Sequence, residues 1–359
     1  MHTAARELRN APIWVATPAS LVYTRVPAQL NAVSMRMGEL VSRRSDLVMV
    51  DEVDRVQTQL DNTFSPSEVL AGSGGEPWLH QLDQAVQTQI RQRGRSSLGS
   101  ADVEPWLTVQ RNVQLATDKL YVLFMQNDAS VGESSDYFTG WTLWEGLITD
   151  ILNLNGQSVV QKNNNPDYKR EIQTFNLWIR DPFGTHSVDP DVYTLQEKTR
   201  ALLTEQRMET VYPQLEAVLR SRFDNVAIDD TVWKPWSHRL AFTLLAGVLS
   251  WGVDELTRNW DNVKEPLDLG EGNRALFFNP PRDYDIGIPA APMGNVLAFQ
   301  YSPASDSNEA GVLRFFRISG VGRAWLLNLH QLFADEGSPG PNVILLSGTS
   351  WAGDSPLYH

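Results

Sequence analysis

Cysteine is absent from the 359-residue chain. That excludes a disulfide framework and leaves no thiolate for zinc or for an iron–sulfur cluster. Histidine is scarce: there are six, and His186, His238 and His330 stand apart with no H-E-x-x-H spacing to hold zinc. No G-x-S-x-G elbow presents a nucleophilic serine, and no G-x-x-x-x-G-K-[ST] loop offers amides and a lysine to phosphates. Positive charge is in deficit. With 30 Lys and Arg against 43 Asp and Glu, a net charge of −13 counts against general nucleic-acid binding, which rests on phosphate neutralisation. The longest apolar run, Leu240 to Val253, is too short for a bilayer and holds Ser250 and two glycines, so it predicts a buried helix. The first residues carry no apolar core like that of a secretory signal, and a cytoplasmic protein without a membrane span is expected.

What the chain does contain is a short apolar stretch that stops in acid: Ser45-Asp46-Leu47-Val48-Met49-Val50-Asp51-Glu52-Val53-Asp54. An apolar run of this length predicts a strand buried on both faces of a parallel sheet. Asp51 and Glu52 then fall at the carboxyl edge of that sheet, where α/β proteins bind ligands. The competing reading is a solvated turn opening a helix near Arg55–Leu60. Ile13–Ala16 predicts a second strand, followed by Thr17 and Pro18 as the cap and first-turn proline of a helix, and Ala4–Asn10 predicts a helix end. Val343–Leu346 predicts a third strand that delivers Ser347, Gly348 and Thr349, for which an ordinary turn is the alternative.

Between these ends the pattern is mostly helical. Apolar residues recur at helical spacing over Glu76–Arg93, Val103–Gln126, Tyr137–Asn153, Tyr168–Ile179, Val192–Thr204, Glu205–Arg222 and Trp236–Trp260. Val296–Tyr301 and Val312–Ile318 predict a hairpin, and Gly320–Ala334 a helix returning to the final strand. Trp141, Trp144, Trp178, Trp233, Trp236, Trp251 and Trp260 fit helix-face packing, with base stacking the alternative use. The densest basic cluster, Arg91, Arg93 and Arg95, could touch a nucleic-acid backbone or simply be solvated cations near a helix end.

Strand-then-Asp51-Glu52-Val53-Asp54 and strand-then-Ser347-Gly348-Thr349 resemble motifs II and III of superfamily 2 helicases of the DinG/XPD type. Ala5–Leu21 resembles the stretch after the iron–sulfur module of those enzymes. The resemblance implies an α/β fold: an incomplete RecA-like parallel sheet, interrupted by a large, mainly helical arch-like insertion with a small β-hairpin. It implies core segments at 1–64 and 336–359, with the insertion at 65–335. Asp51 would face magnesium through a water, Glu52 would be the catalytic glutamate, and Asp54, Ser347, Gly348 and Thr349 would couple hydrolysis to movement. ATP and Mg2+ are the implied cofactors and single-stranded DNA the implied partner. Within that family the chain resembles the DinG-like helicase of prokaryotic PIWI (pPIWI-RE) defence islands, and the resemblance implies PIWI-type and nuclease partners. An iron–sulfur cluster would belong only to a longer parent. Lacking the phosphate loop, the chain is expected to be a fragment of such a motor, inactive alone. The alternatives are a regulatory paralogue without the phosphate loop and a non-catalytic helical interaction module.

Overall fold

The structure, a computed structural model, describes residues 11–27, 35–73, 75–93, 101–126, 137–184, 189–269, 296–303, 311–318, 322–334, 337 and 339–348. In chain order come α1 (Pro18–Tyr23), α2 (Met37–Arg44), β1 (Leu47–Val50), α3 (Val53–Phe64), β2 (Ser67–Gly72), α4 (Trp78–Arg93), α5 (Val103–Met125), α6 (Gly140–Ile151) and α7 (Val159–Lys162). They are followed by α8 (Pro166–Trp178), α9 (Pro190–Thr204), α10 (Tyr212–Arg222), α11 (Trp233–Arg258), α12 (Trp260–Leu267), β3 (Val296–Ser302), β4 (Val312–Ile318), α13 (Gly322–Asn328) and β5 (Asn342–Leu345). The chain divides into two units. One comprises 1–67, 277–296 and 316–359, the other 68–276 and 297–315.

In the first unit β1 and β5 form a parallel pair with Val48 opposite Val343 and Met49 opposite Ile344. Val48, Val50 and Val343 turn inward onto Leu60 and Phe64 of α3 and Trp325 and Leu326 of α13. Asp61, fully buried on α3, accepts the Gly322 N–H at 2.9 Å and so satisfies an orphan donor at the start of α13. Thr17 caps α1 as predicted: its hydroxyl accepts the Ser20 N–H at 3.2 Å, with Pro18 at the first helical position.

Three expectations for this unit need correction. Ile13–Ala16 is not a strand, and Ile13 and Val15 are 79% and 97% exposed. Pro12 before it and Pro18 just after it leave little room for ladder hydrogen bonds. Nor is β1 buried on both faces, since Leu47 and Met49 on its outer face are 48% and 61% exposed. Among the described residues the parallel sheet therefore has two strands where three were expected. The predicted helix at 4–10 lies outside the described residues.

The second unit is built around α11. Its middle, Leu240–Leu249, is buried on every side, as expected of a helix apolar all round. The stretch Asp230–Arg258 is long and apolar enough to cross a membrane, which the shorter run Leu240–Val253 did not suggest. Yet 72% of its most apolar window is covered by the protein itself, the mark of a core helix. Gly140 and Gly247 let α6 and α11 touch, because a Cβ at Gly140 would stand 2.6 Å from the Gly247 Cα. Trp144 stacks on Phe175 at 5.0 Å, and Trp144 and Trp178 are fully buried, so packing is their role. A charge pair is buried here as well. Glu171 on α8 is fully covered, and Arg222 on α10 donates to it at 2.6 Å.

A small antiparallel sheet, ordered β2-β4-β3, adds an unpredicted strand to the expected hairpin. Expected helix boundaries shift where capping chemistry intervenes. Asn165 and Asp189 cap helices that open on Pro166 and Pro190. The expected helix 205–222 starts only at Tyr212, after extended backbone at Glu205 and a 3₁₀ turn at Met208–Thr210, with Pro213 in its first turn. Helix Trp236–Trp260 begins earlier, at Trp233, and breaks at Asn259.

Candidate functional site

The carboxyl end of the β1–β5 pair gathers the acidic and hydroxyl residues singled out by the sequence. Strand pairing alone imposes this. The Leu346 N–H donates to Val50 O at 2.8 Å, and the chain then turns so that the Val53 N–H donates to Leu346 O at 2.9 Å. One carbonyl of the β5 turn thus satisfies a first-turn donor of α3. Ser347 Oγ completes the link by donating to Asp54 Oδ1 at 3.0 Å, across 293 positions of sequence.

Asp51 follows β1 directly and is exposed, and its Oδ1 accepts the Glu52 N–H at 3.0 Å. Glu52 occupies the N-cap position of α3 with φ 49° and ψ 54°, left-handed backbone that a non-glycine residue rarely adopts. Its carboxylate pairs with Arg55 Nη1 at 2.7 Å, both side chains facing solvent. Asp54 is half-buried in the first turn of α3. Negative charge here is favoured by the positive end of the helix dipole, worth a few tenths of a kcal/mol per group at an exposed site.

The predicted residues divide as follows. Asp51, Glu52, Asp54, Ser347 and Gly348 share one sheet end. Thr349 lies outside the described residues. Arg91 is exposed in the last turn of α4, Arg93 ends that helix, and Arg95 lies outside the described residues. Two participants were missed. Arg55 was legible in principle, since position i+3 on a helix faces position i. The Leu346 carbonyl carries no sequence signal, because any residue supplies one. Among the described residues no cluster of three or more His, Asp or Glu could enclose a metal, so Asp51 offers at most one carboxylate, directly or through water.

Chemically, the arrangement supplies two exposed acids beside each other and a hydroxyl that reports on the neighbouring strand. The sequence holds no phosphate loop, so the amide cradle and lysine for a triphosphate are not among its motifs. Compared with protein-family models, with curated proteins and with solved structures, the chain matches none.

Proposed function

We propose that the β1–β5 end is the acidic half of a nucleotide-hydrolysing site in a DinG/XPD-type DNA motor, associated with single-stranded DNA and driven by Mg2+ and ATP. The observation that supports this reading is the Ser347–Asp54 hydrogen bond between two parallel neighbours, which ties the acidic turn to the strand that would sense hydrolysis. In this reading Asp51 holds the hydrated magnesium and Glu52 orients the attacking water. Glu52 must leave Arg55 to do so, and an exposed pair worth under about 1 kcal/mol does not prevent that. Asp54 and Ser347 carry the coupling. Arg91 contributes a minor contact to DNA, and PIWI-type and nuclease proteins of a defence island are the proposed partners. The phosphate-binding half must come from outside the motifs in this sequence.

The test is DNA-stimulated ATP hydrolysis by the natural gene product in full. Glu52→Gln is expected to remove turnover while leaving ATP binding, and undiminished turnover would take Glu52 out of the catalytic role. A second reading, a non-catalytic helical interaction module, draws on the exposed outer face of β1 and on the missing strand at Ile13–Ala16. Absence of both ATP binding and hydrolysis in the wild-type product would favour it.

A further inference from the structure

A second site lies in the helical unit, independent of the motor reading. Helices α9 and α10 run antiparallel, and between them is an open groove of about 460 Å³. That volume lies within the usual range for small-molecule sites. Asp191, Glu197 and Lys198 line one wall, Gln214 and Arg222 the other, and Ala217 keeps the space open. The antiparallel arrangement pairs the ends: Arg222 stands by Asp191, and Lys198 bonds Glu197 at 3.1 Å and Gln214 at 3.3 Å.

The guanidinium of Arg222 is the informative group. It is 7% exposed and anchored from behind by buried Glu171, yet its Nε and Nη1 have no hydrogen-bond partner. Buried donors of a cation are costly to leave unmade. Asp191 Oδ1 sits 3.4 Å from Nη1 as an ion pair without a hydrogen bond, on a side chain 48% exposed. Turning Asp191 to solvent removes the carboxylate that stands against Nη1. Glu171 balances Arg222 from behind, and the remaining charges on the groove, Asp191, Glu197 and Lys198, are of both signs, which disfavours a simple anion or cation as ligand.

We propose that the α9–α10 groove binds a short zwitterionic peptide, with its carboxylate on Arg222 and its ammonium on Glu197. From Arg222, level with Asp191, to Glu197 is about 9 Å along α9 at 1.5 Å per residue. An extended chain of three residues spans about 10 Å, so the terminal charges of a tripeptide match the groove ends.

Calorimetric titration of the whole chain with tri-alanine tests the assignment. Saturable binding is expected, weakened roughly tenfold by amidating the carboxylate or acetylating the amine, as the loss of a charge-assisted bond implies. Asp191→Ala removes the competing carboxylate and is expected to tighten binding, whereas Ala217→Trp fills the groove and is expected to abolish it. Both variants leave Glu171 and Arg222 in place, so the buried pair is retained and both should fold, which circular dichroism checks. No saturable binding up to about 10 mM, equal binding of the doubly capped peptide, or indifference to Ala217→Trp would each overturn the proposal.

Discussion

Glu52 holds left-handed backbone at the end of a strand, where a side chain costs about 1 kcal/mol or more relative to glycine. Strain of this kind is retained where the side chain serves a purpose. Glu52→Gly is therefore expected to raise stability by about 1 kcal/mol in denaturant unfolding, the exposed Arg55 pair offsetting only a little of that. Glu52→Gln keeps the strain and should leave stability unchanged. Glycines in the helical unit give opposite signs. At Gly247 a new Cβ would meet the buried Trp178 ring at 2.5 Å, so Gly247→Ala should cost about 2 kcal/mol despite the better helix propensity. At Gly146 the nearest atom is 3.8 Å away, at the end of Arg239, and Gly146→Ala should gain about 0.5–1 kcal/mol. Tyr168 gives a pH signature. Burial, and then its hydrogen bond to Glu145, push its phenol up to about 12. The folded state thus holds a proton that the unfolded chain loses near 10. Stability from this group is complete below about pH 10 and is lost as pH rises toward 12. Tyr168→Phe should flatten stability against pH across that window.

At the scale of elements, capping outweighs propensity in setting the boundaries. Asp61 illustrates a tertiary cap: removing it in Asp61→Ala orphans the buried Gly322 N–H, and a loss of about 2 kcal/mol in chemical denaturation is expected. Long helices such as α5 and α11 were legible in the sequence because apolar residues recur at helical spacing over many turns, and Thr17-Pro18 announced α1 through its cap. β2 was not legible. Only Val69 and Leu70 of its six residues are buried, so neither alternation nor an apolar run marks it. Ile13–Ala16 misled for the converse reason: four residues with strand-like composition need a partner strand to become one, and the sequence does not say whether one is adjacent. The 205–211 segment kept helical spacing while Pro213 signalled a later start, and the proline was the better guide.

At the scale of the whole molecule, the sequence foresaw the juxtaposition on which the functional reading rests. Two short apolar runs, each ending in polar residues, were expected to belong to one parallel sheet, and β1 and β5 pair in parallel with their acidic and hydroxyl turns at one end. What it did not foresee is how little sheet surrounds them among the described residues. Parallel strands are normally covered on both faces, whereas Leu47, Met49 and Ile344 are exposed on the outer face here. That exposure makes the central claim directly measurable, because the chain has no cysteine of its own. Met49 and Ile344 are partners in register, and adjacent strands lie about 4.8 Å apart. In the double variant Met49→Cys, Ile344→Cys, a short thiol cross-linker should join the two strands efficiently within one molecule, seen by peptide mapping. Failure of that pair to react in the folded protein, while Leu47→Cys with Ile344→Cys reacts readily, would place the two strands in another register and contradict the shared site.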